Sequence, residues 1–185
     1  YFQSYHSAIA TLAGHATFPD VYANPGISVK LSALCPRYEP LQHIRAVKEL
    51  TVKLLALAKQ ARSGNISITV DAEETERLDM SLAIFADIFT HPDLAGWHGL
   101  GLAVQAYQKR ALPVIHWLVA LAENQRKKIP LRLVKGAYWD SEIKRAQENG
   151  LSNYPVFTHK SATDVSYLAC SQLILSRPDV FYPQF

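Results

Sequence analysis

The chain has 185 residues, with 19 Lys+Arg against 16 Asp+Glu and a formal net charge of +3. That length suffices for one hydrophobic core. With 49% hydrophobic, 10% aromatic and 19% charged residues, the chain is neither a disordered tail nor a low-complexity segment. No run approaches the roughly 18 uncharged apolar residues of a membrane span. The small positive surplus leaves no footprint for nucleic acid, and the densest basic run, Arg126-Lys127-Lys128, reads as a solvated turn. Cys35 and Cys170 form neither a CxxC pair nor a disulfide framework. Both are expected to be reduced, in a cytoplasmic protein without an amino-terminal signal segment.

The opening stretch, Tyr1 to Ala13, spaces Phe2, Tyr5, Ala8, Ile9 and Leu12 at helical intervals, and a loop with Pro19, Asn24 and Pro25 follows. Residues 1–25 form an entering helix and loop. Gly26 to Leu31 is a short β-rich run. His43 to Ala61 predicts a helix with Ile44, Val47, Leu50, Leu54, Leu57 and Ala58 on one stripe, closed by Ser63-Gly64-Asn65. Ile66 to Val70 alternates as a strand. A helix over 74–90, a strand over 101–105, a helix over 109–125 and a strand over 130–135 come next. Asp140 to Glu148 is helical with Gly150 as its stop, a last helix spans about 162–175, and Val180-Phe-Tyr begins a fifth strand. Uninterrupted alternation of strand and helix predicts an α/β fold with a parallel sheet.

The polar residues fall at strand ends. Lys30, Asp71 and Gln105 each close an apolar strand, and Arg132 and Lys135 flank Leu133-Val134. In a parallel α/β array such ends share one face, the face that holds active sites. Three cations, one carboxylate and one amide suit a planar heteroaromatic cofactor, and a flavin fits, with Arg132 as the cation beside its electron-rich ring. Gly136 and Ala137 permit close backbone approach, and Tyr138 and Trp139 supply flat surfaces. Other motifs fail. Gly96-Trp-His-Gly99-Leu-Gly101 precedes its strand, where a dinucleotide loop must follow one. Asp71-Ala-Glu73-Glu74 lacks histidines at ligand spacing, so no metal is expected, and its glutamates suit a helix start. No GxSxG elbow occurs. A Schiff base on Lys135 or Lys30 in an aldolase-like barrel stays open as a less favoured alternative.

Pro25-Gly-Ile-Ser-Val-Lys-Leu-Ser-Ala-Leu-Cys-Pro-Arg-Tyr, Val70-Asp-Ala-Glu-Glu, Gln105-Ala-Tyr-Gln-Lys-Arg, Arg132-Leu-Val-Lys-Gly-Ala-Tyr-Trp-Asp-Ser-Glu-Ile-Lys-Arg-Ala-Gln and Thr163-Asp-Val-Ser-Tyr-Leu-Ala resemble the proline dehydrogenase domains of bacterial bifunctional flavoenzymes of proline utilization. The resemblance runs from Tyr1 to Phe185, with Cys35 standing where a histidine is expected. It implies a distorted (βα)8 barrel that binds FAD and oxidises L-proline to Δ1-pyrroline-5-carboxylate, the C5 hydrogen leaving as hydride to flavin N5, with electrons passing to a membrane quinone. It places Lys30 at the substrate carboxylate and Asp71, Gln105 and Arg132 at the flavin ring. Val134, Gly136 and Trp139 would line the cofactor, Ala137 and Tyr138 would wall the proline pocket, and Thr158 and Lys160 would hold the pyrophosphate or ribose side. Lys30, Arg132 and Tyr138 become the catalytic candidates, and no metal is implied.

A closed barrel usually takes about 250 residues. Residues 26–185 therefore read as the amino-terminal half of a (βα)8 barrel, strands one to four with the start of a fifth. The family's remaining strands, its arginine-bearing last helix, its upstream helical region, a DNA-binding module and an aldehyde dehydrogenase domain on the same polypeptide would lie elsewhere. The parent protein would be cytoplasmic with peripheral association at the inner membrane. As a second reading, the segment alone would be a catalytically silent barrel fragment or assembly module.

Overall fold

The computed structural model describes residues 1–185. In chain order it has α1 (Phe2–Ala13), β1 (Gly26–Val29), α2 (Leu31–Leu34), α3 (His43–Ser63), β2 (Ser67–Val70), α4 (Leu78–Phe89), β3 (Leu100–Gln105), α5 (Ala111–Gln125), β4 (Ile129–Val134), α6 (Trp139–Glu148), α7 (Lys160–Leu175) and β5 (Phe181–Gln184). The five strands form one sheet in the order β1-β2-β3-β4-β5, every neighbouring pair parallel. Monotonic strand order combined with right-handed crossovers puts all the helices on one side and curls the sheet away from them. That curl brings the chain's two ends together. Tyr22, in the loop before β1, stacks on Tyr182 of β5 with ring centroids 4.1 Å apart and planes 8° apart.

The core lies between the convex face of the sheet and the helices. Ile68, Val70, Leu131 and Leu133 from the sheet belong to one buried cluster with Leu50, Leu54, Leu57, Ile84, Phe85, Ile115 and Leu118 from the helices. The α3 helix packs on α1 and α4, and α5 packs on α7. Every residue of β3, the central strand of the five, is buried.

Four expectations change. Leu31 leaves the first strand and opens α2, because the chain turns at Lys30 to bury Leu31 and Leu34. Ile44 lies outside the apolar stripe and is 85% exposed; the buried face of α3 is Ala46, Leu50, Leu54, Leu57, Ala58 and Ala61, shifted around the helix from the predicted start. The helix predicted over 74–90 begins as a 3-10 turn, Thr75–Arg77, and becomes α-helical only at Leu78. Lys127 is not in a solvated turn but is 4% exposed. Its ammonium donates to the carbonyls of Phe89, at the end of α4, and Leu94, the latter at 3.3 Å. It also lies 4.1 Å from the Phe89 ring centroid. The two cysteines are free and buried.

Candidate active site

The strand ends converge. Lys30 Nζ lies 3.4 Å from the Tyr138 hydroxyl, to which it donates, and 3.9 Å from Asp71 Oδ2. Arg132 Nη1 donates to Ser28 Oγ at 3.0 Å and to Asp71 Oδ1 at 3.3 Å. Residues 28, 30, 71, 132 and 138 thus form one polar cluster drawn from four separate stretches of chain. Partial burial pulls the Lys30 ammonium down, and the Tyr138 hydroxyl with the Asp71 and Glu73 carboxylates more than offsets it, so its pKa stands above the ordinary lysine value. Lys30 therefore remains a cation at neutral pH.

Beneath this cluster a chain of hydrogen bonds fixes the strand ends to one another. Gln105, 3% exposed, donates from Nε2 to the Glu73 carbonyl at 2.9 Å and accepts from the Ala137 N–H at 3.0 Å. The Glu73 carboxylate accepts from the Ser32 N–H at 3.0 Å and pairs with Arg77 at 2.9 Å. The segments after β1, β2, β3 and β4 are so tied that Lys30, Asp71 and Tyr138 cannot drift independently. Sequence reasoning assigned Glu73 only to a helix start. Nothing in its local pattern distinguishes it from Glu74, since Arg77 pairs with both glutamates and the bonds particular to Glu73 come from residues 41 and 32 positions away.

Beside the cluster opens a cleft of about 470 Å³ lined by Tyr107, Lys135, Gly136, Trp139, Thr158, Lys160 and Thr163. Gly136 has φ +143°, and a Cβ there would collide with the Tyr107 ring. The turn after β4 therefore lies flat on Tyr107, which the sequence reading passed over. Trp139 is 42% exposed, its indole N–H held by the Phe157 carbonyl at 2.9 Å, so an apolar face is presented at a fixed angle. Lys135 does not join the polar cluster but pairs with Asp164 of α7 at 2.5 Å; Lys160 pairs with the same carboxylate at 2.8 Å. The two ammonium groups hold the Asp164 carboxyl below its usual range. Thr158 and Lys160 stand at the start of α7, where backbone N–H groups and the helix dipole favour anionic groups. Val134, the last residue of β4, is half-buried.

The relatives agree with this architecture. The family model described as proline dehydrogenase matches residues 1–185. The bifunctional protein PutA of Escherichia coli strain K12 is 50% identical over the whole chain, which covers 14% of that protein. The PutA of Rhizobium meliloti is 47% identical over 176 residues, 93% of the chain and again 14% of the relative. Among solved structures, a variant of Bradyrhizobium japonicum proline utilization A superposes with a TM-score of 0.97 at 52% identity, covering 100% of this chain and 19% of that one. The chain thus spans about a seventh of the length of the curated relatives it matches. Its parallel sheet, its strand-end cluster and a family match from the first residue to the last all place it in one group: the chain belongs to the proline dehydrogenase family.

Proposed function

We propose that this chain supplies the amino-terminal half of the barrel, from residue 26 onward, in an FAD-dependent enzyme that oxidises L-proline to Δ1-pyrroline-5-carboxylate. The observation that carries the reading is the junction of Lys30, Asp71, Arg132 and Tyr138 at the carboxyl ends of parallel strands. The residues present fit a flavin dinucleotide. Arg132 offers a cation on the concave face, Gly136 permits backbone approach, Trp139 presents an indole face, and Thr158 with Lys160 at the start of α7 suits a diphosphate.

In this reading the chain's own groups bind and orient. Lys30 meets the carboxylate of proline, and the Tyr138 hydroxyl holds its ammonium in place. Asp71, shared between Lys30 and Arg132, limits the local positive charge and spaces the two cations. Gln105 holds Asp71's strand and the Ala137 N–H in register, so that Ala137 and Tyr138 wall a pocket of fixed width. Val134 and Trp139 exclude water from one side. The flavin, when bound, would supply a two-electron acceptor for the hydride that leaves proline C5 once the proline amine is deprotonated. A quinone at the membrane surface as electron acceptor, an aldehyde dehydrogenase domain on the same polypeptide and a cytoplasmic location with peripheral inner-membrane contact complete the reading; the bifunctional naming of the relatives supports the second domain.

The test is spectroscopic. The intact gene product should purify with flavin absorbance that bleaches under anaerobic addition of L-proline; a colourless protein that stays inert with added FAD would remove the reading. Lys30→Met should raise KM for proline at least tenfold with flavin content unchanged.

A further inference from the structure

The guanidinium of Arg132 is held unevenly. Nη1 makes both of its side-chain bonds, to Ser28 at 3.0 Å and to Asp71 at 3.3 Å, while Nε and Nη2 have no partner in the chain. Asp71 is divided, because its other oxygen faces Lys30 Nζ at 3.9 Å. Ser28 gives the shorter bond. It also comes from the far edge of the sheet: β1 and β4 are separated by β2 and β3, so Arg132 reaches across the concave face to touch it. Ser28 pairs with Thr69 in register and precedes Lys30 by two positions, the spacing that sets two side chains on one face of a strand. It lines a polar recess of about 210 Å³ with Ser67, Thr69, Arg132 and Gln184.

The chemistry of the hydroxyl matters. A carboxylate at position 28 would orient Arg132 and also neutralise it, whereas a serine oxygen accepts the N–H and leaves the charge intact. Without that acceptor the strongest remaining partner is Asp71, and the favoured geometry of a guanidinium with a carboxylate is bidentate. The guanidinium would then swing onto Asp71, its charge would be quenched, and Asp71 would be drawn from Lys30. We propose that Ser28 is a positioning residue: by accepting from Arg132 Nη1 it keeps the guanidinium from collapsing onto Asp71, so that Nε and Nη2 stay available as positive donors to the flavin. The inference rests on the functional reading above, and concerns which residue of this chain sets the electrostatics of that site.

The experiment uses the flavin-loaded intact protein and reads the flavin, not turnover. Sulfite adds to the flavin ring and yields an anionic adduct that a neighbouring cation stabilises, so sulfite affinity and the two-electron midpoint potential both report the charge presented by Arg132. Ser28→Ala should weaken sulfite binding about tenfold and make the potential more negative by about 30 mV, the equivalent of tenfold for a two-electron couple. Ser28→Thr, which keeps the hydroxyl on a strand that favours β-branched residues, should restore both. Ser28→Cys, close in shape and a poor acceptor, should behave as Ser28→Ala and serves if that variant fails to fold. Unchanged sulfite affinity and potential in Ser28→Ala or Ser28→Cys, or a Ser28→Thr variant that matches Ser28→Ala, would overturn the assignment. Absence of bound flavin from the wild-type protein would instead strike the functional reading itself.

Discussion

Lys127 shows how one side chain can serve the fold far from the site. Its ammonium replaces the missing amides at the carboxyl end of α4, donating to the carbonyls of Phe89 and Leu94. Burial and the nearby Arg62 charge pull its pKa from the ordinary lysine value down to about 8. Lys127→Met keeps the aliphatic stem but orphans the carbonyls of Phe89 and Leu94, and should cost about 2 kcal/mol in chemical denaturation. The pH dependence has a definite sign. Between about pH 8 and pH 10.5 the unfolded chain holds the proton on Lys127 while the folded chain releases it, so this group's contribution to stability rises with pH through that window. Wild type should therefore show a more positive slope of stability against pH than Lys127→Met over that range, and parallel slopes would refute the assignment.

Elements meet at the site through loops, and two contacts there can be tested. The turn after β4 lies on the Tyr107 ring with Gly136 at φ +143°. Alanine at 136 meets both a clash and an unfavourable backbone region, so Gly136→Ala should destabilise by about 2–3 kcal/mol. Trimming Tyr107 in the same protein removes the clash but not the torsion, so the double variant should stay below Tyr107→Ala alone in thermal melts. The second contact ties α6 to the 3-10 turn before α4. Glu142, 1% exposed, accepts from the Thr75 N–H at 2.7 Å and the Thr75 hydroxyl at 2.5 Å. Glu142→Ala should cost about 2–3 kcal/mol, with part of that loss shared with Thr75→Val in a double-mutant cycle; strict additivity would show that the carboxylate does not act through Thr75.

At the scale of the whole chain, the sheet has two unpaired edges, β1 and β5, since each is bonded to one neighbour only. The outer face of α7 carries Val165 and Leu168, each 68% exposed, and Leu175, 59% exposed. Open parallel edges beside an apolar helix face favour association. The isolated 185-residue chain should sediment as concentration-dependent oligomers, and Leu168→Lys should shift it toward monomer. A monodisperse monomer at all concentrations would show that the curl joining Tyr22 to Tyr182 already protects those edges.

Much of the molecule was legible before any coordinates, because its determinants are local. Period-two and helical hydrophobic patterns located each strand and crossover helix to within a few residues, and right-handed crossover chirality turned that order into a parallel sheet with its functional ends on one rim. Lys30, Asp71 and Gln105 could be picked out because each closes an apolar strand, and Arg132 because it interrupts the apolar run of β4. What remained hidden depends on partners distant in sequence. The exposure of Ile44, the burial of Lys127, the bonds of Glu73 and the reach of Arg132 to Ser28 across 104 positions are decided when separate strands and helices pack. The sequence by itself determined the order of elements, the parallel sheet and the rim that carries the chemistry, since backbone propensity and side-chain period act within a few residues. Only the tertiary structure decided which charges face one another, since pairing energies depend on distances that packing alone sets.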